Sequence, residues 1–277
     1  MSRDPEGSQR PQPAACGLRP SRVAGAERVG KDAGACSGAA GRHLAPALVP
    51  RRAPLPVVFE TLLAAYGPQG WWPLLGHPGK NPTSTGRLTG YHPGDFSYPR
   101  SDGQRFEICV GAVLTQNTAW GNVERALALL ERAGLLSPTG ILAASAQALE
   151  VAIRPSGYFR VKSRKLRELA RFYLELGGRT PSRTQLLAVW GIGPETADSI
   201  RLYAYGQREM VVDAYTIRVL GHHGLCRGPM DYDRAKRFCV DGWRGSVAEY
   251  QELHALMVEH AKRLRGSERG PRPQTKQ

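Results

Sequence analysis

Apolar residues recur three and four positions apart over most of the chain, which is the spacing that gives an α-helix one apolar face. The first such segment runs from Val57 to Tyr66 and stops at Gly67-Pro68. Segments of the same kind, separated by Gly or Pro breaks, cover residues 106–114, 123–133, 141–153, 160–176, 184–189, 195–205, 214–223 and 247–265. None shows the alternation of a strand, so the pattern predicts an all-α fold of many short helices.

The two ends of the chain lack this periodicity. Residues 1–54 are rich in Ala, Gly, Arg and Pro and contain no aromatic side chain, so they cannot offset the entropy of ordering. We therefore expect a disordered basic extension over 1–54, a folded domain over 55–265 and a disordered tail over 266–277. The extension could be a transit peptide or follow from a misassigned start codon, and its four acidic residues count against the first reading. A polar, Gly/Pro-rich segment over 79–104 predicts a long surface loop.

The charge of the chain favours a polyanionic partner. Net charge is +14, and residues 55–265 alone carry 26 lysines and arginines against 19 acidic residues, so the excess is not confined to the ends. Cations that neutralise phosphates release counterions, which favours binding to nucleic acid. Charge alone does not distinguish such a surface from a merely solubilising one.

Cysteine usage and hydropathy exclude several classes of protein. The five cysteines are scattered without a CxxC pair, so neither a disulfide framework nor a zinc-finger spacing is present. No run of 18 apolar residues occurs, and the N-terminus lacks an apolar signal core. We expect a monomeric cytoplasmic protein, acting in the bacterial cytosol and nucleoid, with no membrane partner.

The most informative segment is a helix that runs into a Gly-x-Gly turn, with a new helix starting at Pro194. Glycines permit positive φ and a close approach of the backbone to a ligand, and proline suits a first helical position. Amides at such a turn can hold a phosphate. The alternative is a tight interhelical turn without a ligand. Twenty residues after Gly193, the acid Asp213 follows an apolar pair at the start of another helix, where taken alone it predicts an N-cap.

The hairpin LxxxWGIGPETAD followed at this interval by VVDAYT resembles the core signature of the helix-hairpin-helix glycosylases of the endonuclease III superfamily. The resemblance spans residues 56–265 and implies two helical subdomains that flank a DNA-binding cleft. It implies a partner, damaged double-stranded DNA, and a catalytic role for Asp213. It also implies DNA contacts from the hairpin residues Gly191, Ile192, Gly193, Glu195 and Thr196.

The stretch VLTQNT resembles the segment that carries a wedge residue in these enzymes, so Gln116 or Asn117 would fill the space left by a flipped base. A base in the stack is inaccessible at its glycosidic bond, and its extrusion requires a few kcal/mol, which a basic groove offsets. Cleavage develops positive charge on the sugar, and a fixed carboxylate lowers that barrier while helping to deprotonate water. Asp213 would supply both effects.

Departures from the family pattern narrow the chemistry. Bifunctional relatives carry a nucleophilic lysine where this chain has Glu195, and a carboxylate cannot form an imine. We therefore expect a monofunctional enzyme that leaves an intact abasic site. The chain offers no cysteine beyond Cys239 for the four-thiolate iron-sulfur cluster of many relatives, so neither a cluster nor another metal is expected. A monovalent cation at the hairpin remains open.

Three tryptophans are candidates for a base pocket. Trp71-Trp72 and Trp120 are similar to the aromatic positions of the cluster-free branch that includes bacterial 3-methyladenine glycosylases. Alkylated purines such as 3-methyladenine are cationic, and an indole face attracts a cation by about 1 to 2 kcal/mol when water is excluded. The alternative for each tryptophan is the core, to which we assign Trp190 and Trp243.

Three functions remain open. They are a glycosylase for an alkylated purine, a glycosylase for another lesion such as mismatched thymine or an oxidised pyrimidine, and a hairpin module that binds DNA without catalysis. The adjacent His222 and His223 have no evident third ligand, so exposure or helix C-terminal charge explains them better than a metal does.

Overall fold

The computed structural model describes residues 48–83, 89–226 and 230–268. The disorder expected over residues 1–47 and 269–277 lies outside these ranges. Residues 48–54, which the sequence places in the extension, run directly into the first helix. Val49 and Ala53 are buried in the core, and the Arg52 amide donates a hydrogen bond to the His223 carbonyl at 2.9 Å.

The described residues form helices and no strand, with one isolated bridge between Lys80 and Thr89. The helices are α1 Leu55–Tyr66, α2 Asp102–Leu114, α3 Trp120–Arg132, α4 Pro138–Ala143, α5 Ala146–Ile153, α6 Phe159–Leu176, α7 Arg183–Ala188, α8 Pro194–Ser199, α9 Ala214–His222, α10 Tyr232–Gly242 and α11 Val247–Glu268. A 3-10 turn, Arg154–Ser156, precedes α6, and a π-helical turn, Ile200–Ala204, extends α8. The all-α prediction is confirmed.

Short polar side chains start many of these helices. Ser101, Ser137, Ser145 and Ser182 each accept a hydrogen bond from a backbone amide in the first turn of α2, α4, α5 and α7. Each bond satisfies one of the orphan donors at a helix start and contributes about 1 kcal/mol. The cap at Ser145 also explains why the single helix predicted over 141–153 is two helices, because α4 ends at Ala143 and α5 begins anew at Ala146.

Helix α10 has no counterpart in the sequence prediction. Tyr232, Ala235 and Cys239 lie three and four residues apart, so the helical spacing is present in the sequence, although charged side chains stand between them. The helix forms because Asp231 accepts a hydrogen bond from the Arg234 amide and because this apolar face packs on the core. The sequence prediction therefore overlooked a periodic signal.

The helices form two groups that share one continuous apolar core. In the first, α9 and α1 pack on α11, so the N-terminal part of the domain lies against its C-terminal helix. In the second, α2 packs against α3, α6 and the π-helical turn, and α4 and α5 pack on α6. The π-helical turn also contacts α11 and thereby joins the groups. No helix of the described residues is long and apolar enough to cross a membrane.

The connection between α1 and α2 is not simply a surface loop, which corrects the prediction for residues 79–104. Tyr91 and His92 are buried, and the His92 ring makes hydrogen bonds to the Asp95 carbonyl at 2.7 Å and the Trp72 carbonyl at 3.0 Å. The connection folds back on itself and packs against the body of the domain. It therefore contributes walls to the site described next.

Candidate active site

Asp213 is both the N-cap of α9 and a wall of a cavity. Its Oδ1 atom accepts hydrogen bonds from the Thr216 amide at 2.7 Å and the Thr216 hydroxyl at 2.9 Å. The two bonds fix the carboxylate at the start of the helix, where the helix dipole favours a negative charge. The predicted N-cap is therefore present, and it occurs at a position open to a ligand.

The cavity has a volume of about 810 Å³ and lies where the two groups of helices meet. This volume is in the range of small-molecule sites and suits a single base with its sugar. The cavity takes its walls from the α1–α2 connection, the start of α3, helix α8, the start of α9 and one face of α11. Its polar lining includes Asn81, Thr115, Thr118, Asn122, Glu124, Arg125, Glu195, Ser199, Asp213, His254 and Lys262.

The three tryptophans that are candidates for a base pocket, Trp71, Trp72 and Trp120, all line this cavity. Trp72 is buried and meets Trp120 edge to face, with ring centroids 5.3 Å apart at 84°. Trp71 meets Trp72 in the same manner, at 6.3 Å and 78°. The three rings form a contiguous aromatic wall that reaches from the α1–α2 connection to α3, and aromatic walls of this kind bind flat ligands by stacking.

Buried polar contacts hold the tryptophan segment in place. The Glu252 carboxylate on α11 accepts hydrogen bonds from the amides of Gln69 at 2.8 Å and Gly70 at 3.1 Å. Gly70 has φ +68°, and a Cβ atom there would lie 2.2 Å from the Pro93 nitrogen, so glycine is required. These contacts connect the aromatic wall to the helix that forms the opposite side of the cavity.

His254 lies next to Asp213 in the lining of the cavity. Its Nε2 atom lies 3.5 Å from Asp213 Oδ2, which is longer than a normal hydrogen bond but close enough for a strong electrostatic interaction. Its Nδ1 atom lies 2.8 Å from the Tyr203 hydroxyl. The edge of the Trp71 ring packs against the imidazole, with centroids 5.5 Å apart at 86°. His254 therefore connects the carboxylate to the aromatic wall.

Two carboxylates in the cavity have opposite pKa shifts. Burial raises the pKa of Asp213, but His254 and Thr216 together outweigh burial and hold it below its ordinary value of 3.8. Burial and then the charge of Asp213 raise the pKa of Glu195 above 4.5, with His254 opposing them. Opposite shifts in one site assign the ionised role to Asp213 and make Glu195 the better proton carrier.

Sequence reasoning missed three cavity residues on α11, which are His254, Val258 and Lys262. They lie at i, i+4 and i+8, so they share one face of the helix, and this spacing was the available signal. Burial lowers the pKa of Lys262, and the charges of Glu259 and Asp213 oppose that shift. The cavity thus contains an amine, although none lies at the position of the family's nucleophilic lysine.

The predicted hairpin is present between α7 and α8. Gly191 has φ +87°, and a Cβ atom there would collide with the Lys165 side chain at 2.5 Å, so glycine is required. The Ile192 side chain is buried, and its amide donates to the Val189 carbonyl at 3.1 Å. Ile192 therefore stabilises the turn, and its amide is paired with Val189 within the turn and not directed to a ligand. Thr196 is buried in α8 behind the turn.

Gln116 and Asn117, the two wedge candidates, occupy different environments. The Gln116 amide donates to the Gly191 carbonyl at 3.1 Å and the Thr196 hydroxyl at 2.9 Å, and its oxygen accepts a hydrogen bond from Lys165. Asn117 is exposed and has φ +53°. Gln116 thus joins the segment after α2 to the hairpin, and Asn117 projects beside it.

Two assignments to packing or exposure need correction. Trp190, assigned to the core, is 44% exposed beside the hairpin, where the Arg164 guanidinium stacks on its ring at 3.9 Å. His223, for which exposure was one account, is buried, and its Nε2 atom lies 2.8 Å from His260 Nε2. Trp243 packs against Phe59 with centroids 4.9 Å apart, in line with its assignment to packing.

The described residues contain no group of three or more His, Cys, Asp and Glu side chains that could hold a metal ion. Cys109, Cys226 and Cys239 are free thiols. Lys165 lies against the hairpin at Gly191, and Lys162 Nζ donates to the Leu114 carbonyl at 2.7 Å. Lys236 pairs with Asp198 and Glu209 and is not part of the cavity lining.

Comparison with known proteins agrees with this site. The family model described as HhH-GPD superfamily base excision DNA repair protein matches residues 110–244, which include the hairpin and Asp213. A protein of Methanocaldococcus jannaschii, provisionally named a DNA repair glycosylase, is 34% identical over 75% of this chain and 86% of its own length. The endonuclease III of Thermotoga maritima is 29% identical over 52% of this chain and 72% of that enzyme.

A solved structure gives the same picture. The H. pylori 3-methyladenine DNA glycosylase bound to 1,N6-ethenoadenine is 27% identical, has a TM-score of 0.52, and is matched over 61% of this chain and 93% of its own. The chain belongs to the helix-hairpin-helix superfamily of base excision DNA repair glycosylases. Its fold is the all-α, endonuclease III-like fold of that superfamily.

Proposed function

We propose that this protein is a monofunctional DNA glycosylase that removes an alkylated purine such as 3-methyladenine, acting as a monomer in the cytoplasm. The observation that carries the proposal is the position of Asp213, an ionised carboxylate opposite an aromatic wall in a cavity the size of a nucleotide. The flipped base stacks on the wall, and the sugar lies next to the carboxylate.

The aromatic wall supports the choice of substrate. Trp71, Trp72 and Trp120 offer π-faces and edges to a flat base, and a cationic purine gains about 1 to 2 kcal/mol from such a contact. The similarity to a structure described as a 3-methyladenine DNA glycosylase points to the same lesion class. A cationic base also leaves without protonation, so Asp213 need only stabilise the sugar cation and activate water.

The absence of a lysine at position 195 supports the monofunctional reaction, because Glu195 cannot form an imine. The outer surface supports binding to DNA. The hairpin bears Gly191 and Gly193, Arg164 and Lys165 lie beside it, and the exposed Asn117 is better placed than the anchored Gln116 to enter the base stack. Phosphates would bind along the hairpin and the base would pass into the cavity.

One observation favours a second candidate, a glycosylase for a neutral lesion. A neutral base must be protonated as it leaves, and Glu195, with its raised pKa, lines the same cavity as Asp213. Ethenoadenine, mismatched thymine and an oxidised pyrimidine belong to this class. If the second candidate holds, Glu195→Gln lowers the release of a neutral base at least tenfold and leaves the release of a cationic base nearly unchanged.

The first experiment tests Asp213. Asp213→Asn removes the charge but keeps an N-capping side chain, so it should reduce base release by at least a hundredfold with DNA affinity within a few-fold. Asp231→Asn is the matched control, because Asp231 caps α10 through the Arg234 amide at 2.8 Å, outside the cavity. If Asp213→Asn kept half of the activity of the unmodified protein, the assignment of Asp213 as the catalytic carboxylate would be refuted.

The second experiment identifies the lesion and the reaction. Duplexes carrying 3-methyladenine, ethenoadenine, a T:G mismatch or oxidised thymine are incubated with the full chain, and strand breaks are scored with and without alkali. We expect the release of an alkylated purine and breaks only after alkali. Borohydride should trap no covalent adduct. Efficient trapping that Lys262→Gln abolishes would overturn the monofunctional reaction and identify Lys262 as the nucleophile.

A further inference from the structure

We propose that His254 is a positioning residue for Asp213, held by Tyr203 so that its Nε2–H faces Asp213 Oδ2 and keeps this oxygen ionised and directed into the cavity. The inference rests on the function proposed above, in which Asp213 is the catalytic carboxylate. It assigns a task to a buried histidine and a buried tyrosine that the reaction does not otherwise use.

The two oxygens of Asp213 have separate partners. Oδ1 accepts both hydrogen bonds from Thr216, so Oδ2 is the oxygen left for the reaction. His254 is 5% exposed, and its Nε2 atom, 3.5 Å from Oδ2, has no hydrogen-bond partner among the residues described here. A buried polar nitrogen without a partner is costly, and the nearby carboxylate oxygen is the group that can satisfy it. Catalytic hydrogen bonds that are long in the free enzyme often shorten when substrate binds.

Tyr203 holds the Nδ1 side of His254. Its hydroxyl donates a hydrogen bond to the Gln251 carbonyl at 3.1 Å, and its oxygen lies 2.8 Å from His254 Nδ1. With its one proton directed to Gln251, this oxygen accepts a hydrogen bond from Nδ1–H. The contacts of the ring are all satisfied when it donates from both nitrogens, from Nδ1 to Tyr203 and from Nε2 to Asp213.

A neutral ring can keep the same contact with Asp213. If the Tyr203 hydroxyl rotates and donates to Nδ1 instead of to the Gln251 carbonyl, the ring carries its single proton on Nε2. In both arrangements Nε2–H faces the carboxylate, so His254 can support an ionised Asp213.

The charged groups around His254 agree with this role. Asp213 faces His254 from the start of α9, and Glu195 faces it from α8. Lys262 lines the same cavity from α11, the helix that also carries His254. Glu252 is turned away and binds backbone amides. The pKa of Asp213 lies below its ordinary value despite burial, and His254 is the first of the partners that lower it.

A measurement independent of activity tests the proton arrangement. In the full chain labelled with ¹⁵N-histidine, imidazole NMR at pH 8 should show His254 with its proton on Nε2. Tyr203→Phe should produce a mixture of the two tautomers. An Nε2 atom without a proton in the unmodified protein would overturn the proposal, whatever the outcome of the glycosylase assays.

The kinetic test compares variants across pH. Single-turnover base release is measured from pH 5 to pH 8 in His254→Leu, His254→Gln and the control His260→Gln, which alters another buried histidine of α11 outside the cavity lining. Without the donor, the pKa of Asp213 rises, so His254→Leu should lose at least about tenfold more rate at pH 5 than at pH 8. Glutamine at 254 should restore most of the loss, because its amide can donate to Oδ2.

The outcomes separate this inference from the proposed function. The positioning role is refuted if the rate of His254→Leu falls between pH 8 and pH 5 no more than the rate of the unmodified protein does. It is also refuted if His260→Gln changes the low-pH side of the pH–rate profile equally. If Asp213→Asn remains active, the proposed catalytic residue is wrong. The NMR result then tests only whether His254 Nε2 carries a proton toward Asp213, independently of catalysis. Where His254→Leu does not fold, Tyr203→Phe supplies the same comparison, with a smaller expected shift in the same direction.

Discussion

Gly111 offers a test of the aromatic wall, because it lies in α2 directly behind Trp72. A Cβ atom at this glycine would lie 3.0 Å from Trp72 Nε1 and 3.5 Å from Cε2 and Cζ2. Unstrained contacts of this kind need about 3.5 Å, so Gly111→Ala should displace the indole by about 0.5 Å. Trp72 is enclosed on other sides by Trp120 and Tyr203, at centroid distances of 5.3 and 5.2 Å, so the displacement narrows the cavity.

The expected size of the effect follows from two opposing terms. Alanine in a helix gains about 0.5 to 1 kcal/mol over glycine, whereas overpacking a core loses about 1 to 3 kcal/mol. The net change in the free energy of unfolding should therefore be a loss of no more than about 2.5 kcal/mol. A misplacement of 1 Å near reacting groups lowers rates about a hundredfold, so a shift of half that size should lower base release about tenfold.

The assay is single-turnover base release from a 3-methyladenine duplex, together with urea unfolding of the same samples. Gly103→Ala is the matched control, because it lies in the same helix and its Cβ atom would meet nothing closer than Ser101 Oγ at 3.8 Å. That variant should keep both rate and stability. If Gly111→Ala released base as fast as Gly103→Ala, Trp72 would not form a wall of the base site.

Three further outcomes are expected. Burial raises the pKa of Glu107 to about 7, so its contribution to stability is full below pH 4.5 and is lost as pH rises through 7. In urea unfolding, the gain in free energy of unfolding of Glu107→Gln over the unmodified protein should therefore be about 2 to 3 kcal/mol larger at pH 8 than at pH 5. Burial lowers the pKa of His260 to about 4, so this histidine alone contributes a loss of about 2 kcal/mol in the free energy of unfolding as pH falls from 7 to 5, which the contribution of Glu107 offsets in the unmodified protein. Relative to the unmodified protein, His260→Gln should therefore gain about 2 kcal/mol over the same fall in pH. Trp190→Ala should weaken DNA binding a few-fold in a titration and leave the single-turnover rate at saturating enzyme unchanged, because the ring is exposed beside the hairpin.

Local patterns predicted much of the fold, because helix periodicity, caps and glycine turns depend on residues close together in sequence. The predicted starts and ends of the long helices lie within a few residues of those observed, and the hairpin occurs at Gly191-Ile192-Gly193. Asp213 was predictable as a cap for the same reason, since the bond to the Thr216 amide spans three residues. Its position in a cavity required the family resemblance as well.

The parts that sequence did not predict depend on long-range contacts. His254 faces Asp213 only because α11 packs on α9, and its Nδ1 atom is held by Tyr203, which is 51 residues distant in sequence. The burial of Tyr91 and His92 depends likewise on hydrogen bonds that fold the α1–α2 connection back on Trp72. Such contacts have no periodic signature, so a polar segment was read as surface.

The Asp213 site shows how one interaction serves both folding and chemistry. A capping aspartate ordinarily contributes about 1 kcal/mol by satisfying amides at a helix start. Here the same two bonds from Thr216 hold the carboxylate still and, with His254, keep it charged against the burial that would neutralise it. A group that must stabilise a developing cation has to be fixed and ionised before substrate arrives. In the function proposed above, the start of α9 would supply the preorganised anion that glycosidic cleavage needs.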